Sequence, residues 1–402
     1  MNLSEMLGYA DIGQLSRIAV AYRCECSGNS KNELIQSILS TIGRSDVFEE
    51  QVREMKLEDL RFLNSLLFDP REAYSLEDLI ARVQQSRFGA ETEAPAADGP
   101  KQEGKTKGRS RRKKTEPENA PASPRDMIAK FKHQGWLFNG FSGPGKYLFQ
   151  VPGDLKARFR EAMARKLREG IQYTGDPEVY REETGMLQND VKQLLHYVWQ
   201  NEVQLTADGS MYKRYLTQAI DRLAVREMLP GRGEWRFGYG RHFNHYPDRF
   251  SLLYDYCCSS GYLLENSGTL AVTEKGLERM QASPPGELEN IYAYWLKLYK
   301  LPIANLPAFV HWIGELAPDW VTAESVKQAL VPFVKPYYYD SATSILDVRI
   351  MKMMLHLGLL RIGEHSAHGA VIRMTKAGET LLSGRPAREK GASSVDTRLP
   401  AW

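Results

Sequence analysis

The chain has 402 residues, of which 42% are hydrophobic and 26% charged, which is enough apolar material for about two to four globular cores. Its formal net charge of +3 is too small to identify a partner, and its four cysteines, in the close pairs Cys24/Cys26 and Cys257/Cys258, indicate a reducing compartment. No apolar run is long enough for a membrane span and the N-terminus lacks a signal-peptide pattern, so we expect a cytoplasmic protein without membrane contacts.

Residues 1–88 predict a helical module. Apolar residues recur at the spacing of amphipathic helices between residues 15 and 39, and Ser30 with Glu33 forms a capping-box pattern. Two short helices joined in this way resemble the SAP and Rho-N-terminal-like modules, which bind nucleic acid. Residues 1–95 hold 16 Asp and Glu against 10 Lys and Arg. A small acidic bundle that docks on a protein is therefore an equally good interpretation.

Residues 89–123 predict a disordered, basic linker, because they contain almost no large apolar side chain. Lys101 to Thr115 hold eight Lys and Arg against the single Glu103. Such a run either contacts phosphates through counterion release or serves as a solvated tether. The candidate phosphate contacts are Lys105, Lys107, Arg109, Arg111, Arg112, Lys113 and Lys114.

Residues 124–185 predict a partial winged-helix-like module. A helix near residues 127–133 leads into two aromatic-rich strands around the turn at residues 142–145, and another helix follows Pro152. The pair Gly145 and Lys146 lacks the following Ser or Thr of a phosphate-binding loop, so we expect a plain turn there.

The order helix, strand, helix, helix, hairpin then occurs twice. The first copy lies in residues 186–300, the second in residues 301–385, and a flexible tail fills residues 386–402. Matching segments are VQLTADG with DWVTAES, and GYLLENSGTLAVTEKG with GLLRIGEHSAHGAVIRMTKAG. This order is typical of winged helices. The predicted fold class is mainly α with small β-hairpins, a tandem winged-helix array behind an N-terminal helical module.

Several segments resemble the region that precedes the motor in bacterial XPB-type helicases. The most similar stretch is DVKQLLHYVWQNEVQLTADGSMYKRYLTQAIDRL, supported by GWLFNGFSGPGKYLFQVPGDL, RFSLLYDYCCSSGYLLENSGTLAVTEKG and SPPGELENIYAYWL. The resemblance implies a winged-helix array associated with DNA transactions. The sequence has no phosphate loop and no DEAH-like box, so we do not expect an ATP-driven motor.

Winged helices contact DNA mainly through the third helix and the hairpin. The first hairpin has no Lys or Arg before Lys275 and predicts a poor DNA contact, with Thr273 capping the next helix. The second copy offers more basic side chains, and its candidate contacts are Arg349, Lys352, Arg361 and Arg373. Protein docking or a purely structural role is the alternative for this copy.

An insert at residues 231–246, within the run GRGEWRFGYGRHFNHYPDR, interleaves arginines with aromatic rings, the combination that single-strand binders use for phosphates and unpaired bases. Its candidate contacts are Arg232, Arg236 and Arg241, and the neighbouring helix adds Lys213 and Arg214. The alternative is a long loop that packs its own aromatic rings on the core.

The sequence favours neither a metal site nor catalysis. His242, His245, Cys257 and Cys258 are the residue types of a zinc site, but two adjacent cysteines on a helix point about 100° apart. No common hydrolase, metalloprotease or dinucleotide-binding motif is present. We therefore expect a non-enzymatic protein without a cofactor, metal or small-molecule substrate. It would bind DNA, possibly single-stranded, or a DNA-processing or transcription protein; the alternative is an interaction scaffold with degenerate winged helices.

Overall fold

A computed structural model describes residues 1–24, 30–89, 123–140, 143–231 and 240–383, apart from the side chain of Pro144. The protein is mainly helical with small antiparallel sheets, which confirms the coarse fold class. None of the described helices is both long and apolar enough to cross a bilayer. The chain forms two compact units, Met1–Glu169 and Gly170–Trp402. The predicted linker and tail lie almost entirely outside the described residues, and the six-segment division stays a prediction.

The first unit is a helical bundle with one short hairpin. Its elements are α1 (Leu3–Tyr9), α2 (Ile12–Ala21), α3 (Lys31–Gly43), α4 (Ser45–Glu54), α5 (Leu57–Leu67), α6 (Leu76–Ser86), α7 (Pro124–His133), β1 (Phe138–Asn139), a 3-10 turn (Gly143–Tyr147), β2 (Phe149–Gln150) and α8 (Gly153–Arg168). Ser30 is the N-cap residue of α3 as expected, but its side chain makes no capping hydrogen bond.

Aromatic side chains hold the two parts of this unit together across the sequence gap. The indole Nε1 of Trp136 donates to the hydroxyl of Tyr22 at 2.7 Å, and that hydroxyl donates to the carbonyl of Gln134 at 3.1 Å. The ring centroid of Phe131 lies 4.9 Å from that of Phe62. Residues 123–169 therefore complete the core of residues 1–89.

The second unit contains the two predicted copies. Its elements are β3 (Val179–Arg181), α9 (Met186–Gln200), β4 (Val203–Gln204), α10 (Lys213–Arg222), α11 (Asp248–Ser259), β5 (Leu263–Asn266), β6 (Thr269–Val272), α12 (Glu274–Gln281), α13 (Glu287–Tyr299), α14 (Leu306–Leu316), β7 (Val321–Thr322), α15 (Ala323–Leu330), a 3-10 turn (Val331–Phe333), α16 (Ala342–Ser344), a π-helical segment (Ile345–Met351), α17 (Lys352–His356), β8 (Leu360–His365), β9 (Gly369–Met374) and α18 (Lys376–Ser383).

The two sheets of this unit share one strand arrangement. In the first sheet β6 lies between β4 and β5, and in the second β9 lies between β7 and β8, all antiparallel. In each copy the strand before the second helix thus pairs with the last strand of the hairpin. The second sheet has a fourth strand, because β3 pairs with β8.

The end of each hairpin is built in the same way. Thr273 caps α12, as predicted, by accepting a 3.0 Å hydrogen bond from the amide of Gly276, and Thr375 accepts the equivalent bond from Gly378 at the start of α18. A Cβ atom on Gly276 would lie 2.3 Å from the carbonyl oxygen of Tyr262, and one on Gly378 would lie 2.5 Å from that of Leu359. Each glycine therefore lets a helix begin in contact with the hairpin backbone.

Candidate nucleic-acid interface

The third helix of the first copy is enclosed by the protein. Nine of the twelve residues of α11 are buried, from Arg249 to Cys257. A helix that reads bases must place an open face in the major groove. The geometry of α11 gives no such face.

Arg249 occupies the centre of a buried network of charges. Its side chain is 0% exposed, and its Nη2 and Nε lie 2.6 Å from Asp190 Oδ2 and 3.3 Å from Glu183 Oε2. Glu183 is also 3.0 Å from the Nδ1 of His356. Burial acts to raise the pKa of Glu183, but the hydrogen bond and charge of His356, with Arg181 and Arg249, outweigh it and lower that pKa. These contacts join α9, α11 and α17 and are structural.

The third helix of the second copy, residues 342–356, is also largely buried. Its predicted DNA contact Arg349 is buried, with Nη1 at 3.1 Å from Asp248 and Nε at 3.3 Å from Asp340. Lys352 is exposed on α17. The sequence did not reveal that Arg349 serves internal carboxylates, since Asp248 lies 101 residues away.

Two arginines of the second hairpin form ion pairs with the protein's own carboxylates. The Nε of Arg361 donates to Glu182 at 2.6 Å, and Nη2 of Arg373 lies 3.3 Å from Asp319. These two predicted contacts have therefore part of their charge offset by the protein's own carboxylates. The rings of His365 and His368 contact each other at the tip in a tilted arrangement, with centroids 4.8 Å apart.

Residues 172–181, here called the strap, run across the four-stranded sheet: they contact one edge strand, β7, and provide the other, β3. Tyr173 bridges to Val321 at one edge, and β3 pairs with β8 at the other. At the hairpin tip the amide and hydroxyl of Ser366 donate to the carboxylate of Glu178, and these bonds, the hydroxyl above all, lower its pKa to about 2. The hairpin is thus fastened to the protein by an acidic side chain.

The described part of the insert, residues 240–246, is mostly at the surface and ends in the core at Tyr246. Arg232 and Arg236 lie outside the described residues. Arg241 has Nη1 at 2.9 Å from Glu265. Tyr246 is fully buried, and its hydroxyl accepts the amide hydrogen of Met211 at 2.8 Å. At this end of the insert the aromatic ring belongs to the core.

Asp255 anchors the same end of the insert. Its Oδ1 accepts the amide hydrogen of Arg241 at 2.7 Å, and a Cβ atom on Gly240 would lie only 1.5 Å from its Oδ2. Burial raises the pKa of Asp255 to about 7. The hydrogen bond from the Arg241 amide and the charge of the Arg241 side chain lower this pKa, but they offset only part of the effect of burial. Only glycine at position 240 leaves room for this carboxyl group.

Among the predicted contacts that the structure describes, two lie together on an exposed basic face of α10. The exposed residues of this helix recur along one side, and they are Lys213, Arg214, Thr217, Gln218, Asp221 and Arg222. Tyr212 is exposed just before the helix, and the guanidinium of Arg214 lies 4.4 Å from the ring centroid of Tyr215. Trp199 is exposed at the end of α9, on which α10 packs. Three cations against one carboxylate, beside aromatic rings, form a surface suited to a polyanion.

A second exposed aromatic feature was missed by the sequence analysis. Tyr338 and Tyr339 are 81% and 83% exposed at the tip of a tight turn between α15 and α16. The available signal was the run KPYYYDS, in which Pro336 precedes three tyrosines and Ser341 then caps a helix.

Among the residues that the structure describes, no group of three or more His, Cys, Asp and Glu side chains is placed to hold a metal ion. Cys257 is buried in α11, and burial raises the pKa of its thiol. The Nε2 atom of His245, another residue of the candidate zinc set, lies 3.0 Å from Oδ2 of Asp208.

Comparison of the chain with protein-family models, with curated proteins and with solved structures finds no match in any of the three. The resemblance to the front region of XPB-type helicases therefore stays a prediction.

Proposed function

We propose that this protein is a non-enzymatic, nucleic-acid-binding protein whose two winged helices form a fixed scaffold. The proposal is supported by the side chains of Tyr212, Lys213 and Arg214, which are exposed together at the start of α10. The exposed side of that helix continues from them. Contact would be made with phosphates and would not depend on base sequence. Eight Lys and Arg in residues 101–115 would add to the attraction.

The winged-helix assignment is part of this proposal. It is supported by the element order, which occurs twice, and by the strand order β4-β6-β5 and β7-β9-β8. Burial of both third helices argues against groove reading. Duplex sequence recognition is therefore not part of the function that we propose, and a DNA-transaction role rests on the XPB-type resemblance.

The test is binding of the full chain to a single-stranded oligonucleotide, followed by fluorescence anisotropy over a range of salt. We expect Lys213→Ala/Arg214→Ala to weaken binding and to reduce the salt-dependence slope by about 1.4, because two phosphate contacts are lost. The matched control is Lys297→Ala/Lys300→Ala, which removes two exposed cations from the end of α13. An equal loss in both variants, or no salt-dependent binding by the wild type, would contradict the proposal.

A second candidate, a protein-interaction scaffold, is favoured by the buried third helices and the internally paired arginines. If the protein is such a scaffold, we expect the wild type and both double variants to show no binding to the oligonucleotide. The same titration therefore separates the two candidates.

A further inference from the structure

The turn from Tyr337 to Asp340 projects two aromatic rings into solvent. We propose that Tyr338 and Tyr339 form a stacking platform for unpaired bases of a single-stranded nucleic acid. This inference rests on the proposed function and gives it a second contact, separate in sequence from α10.

The turn is held in one shape. The amide of Tyr337 donates to the carbonyl of Asp340 at 3.1 Å, and the amide of Asp340 donates back to the carbonyl of Tyr337 at 2.9 Å. Tyr338 has φ of 49°, a left-handed conformation that glycine usually supplies in such a turn. The ring of Tyr337 packs edge-on against that of Tyr338, with centroids 4.7 Å apart. The rings are thus presented by a rigid backbone.

Arg349 fixes the base of the turn. Its guanidinium spans Asp340, which ends the turn, and Asp248, at the start of α11. One guanidinium offsets only one of these two carboxylate charges, so the pairing lowers the negative charge near the turn without removing it. Lys335, two residues before the turn, is exposed and adds a positive charge at its approach.

The exposed tyrosine rings with a lysine nearby suit the bases of a nucleic acid better than a pocket on another protein. Stacking needs only an accessible ring face and a nearby cation, and every base offers a matching face. A strained non-glycine backbone at an exposed position is typical of sites where a side chain must be displayed. The exposed ammonium group of Lys335 beside the rings suits the phosphates that accompany the bases.

The experiment compares two probes of equal length, a single-stranded oligodeoxynucleotide and its abasic counterpart, with the full chain at low salt. We expect the wild type to prefer the probe with bases by about tenfold or more. Tyr338→Ala/Tyr339→Ala should lose that preference while keeping salt-dependent binding to the abasic probe. Tyr338→Phe/Tyr339→Phe should retain it, because phenyl rings also stack.

Other outcomes separate this inference from the proposed function. If the wild type binds both probes equally, or the Ala variant keeps the preference, the inference is overturned while phosphate binding stands. If Tyr147→Ala, which removes a tyrosine that is 79% exposed in the other unit, costs the same preference, the inference also fails. If the wild type binds neither probe, the proposed function fails and the inference with it. Circular dichroism of each variant checks that it is folded.

Discussion

The Nδ1 atom of His356 lies 3.0 Å from the Oε2 atom of Glu183, and both side chains are buried. Glu183 precedes the first helix of the first copy, whereas His356 ends the third helix of the second. Because Glu183 also faces Arg249, this one carboxylate joins side chains from both copies.

Removal of Glu183 should therefore unfold the second unit more easily. Glu183→Ala leaves Arg249 with one carboxylate and strips His356 of its partner, so we expect a loss of about 3–5 kcal/mol in the free energy of unfolding. Its neighbour Glu182 is a matched control, since it is partly exposed and paired with Arg361, and Glu182→Ala should cost about 1 kcal/mol or less. Urea denaturation measures both; equal losses would contradict a buried network.

Asp255 should make stability depend on pH. Its folded-state pKa of about 7 is above the value of an unfolded aspartate, so the folded state holds the proton more tightly. The stability that this proton provides is complete below about pH 4 and is lost as pH rises to 7. The quantity to compare is the difference in unfolding free energy between the wild type and Asp255→Asn. We expect this difference to fall by roughly 4 kcal/mol between pH 4 and pH 7. A difference that is flat with pH would rule out the raised pKa.

The glycines at the two hairpin ends should not tolerate a side chain. Gly276→Ala and Gly378→Ala each place a Cβ atom against a backbone carbonyl, so each should cost about 2 kcal/mol. Gly175→Ala is the control, because its Cβ atom would meet nothing within 4 Å. Thermal unfolding of the three variants tests this, and a control as unstable as the other two would show that crowding is not the cause.

The turn at Tyr338 should be strained. Tyr338 has a left-handed backbone conformation that glycine adopts freely. Tyr338→Gly should therefore raise the unfolding free energy by about 0.5–1 kcal/mol. Tyr339→Gly, at a position with ordinary φ, should lower it or leave it unchanged. A thermal melt of each variant decides the sign, and destabilisation by both would mean that the tyrosine rings hold the turn.

Local patterns were enough to predict the mainly helical class and the small hairpins. The second copy was expected to begin with a helix, and α14 is that helix, with apolar residues that recur at helical spacing. Both hairpins were also predicted, since glycines mark their turns. The strand β3 was missed: it has three residues and is stabilised by β8, about 180 residues further along the chain.

Sequence was a poorer guide to the candidate site. The sequence identifies arginines as candidate phosphate contacts, but it does not show which carboxylate lies opposite each guanidinium. Arg349 and Arg361 find their partners 101 and 179 residues away. Exposure of Lys213 and Arg214 follows from helical spacing, which is why these two candidates lie on the surface.

The strap has a consequence for dividing this protein into fragments. The second copy takes its outer strand and the ion-pair partner of Arg361 from residues 179–182, which precede the first copy. A fragment that starts at residue 301 would present β8 as an open edge, prone to pair with another chain. The first copy is therefore bracketed by parts of the second, and we expect the two to melt in a single cooperative transition.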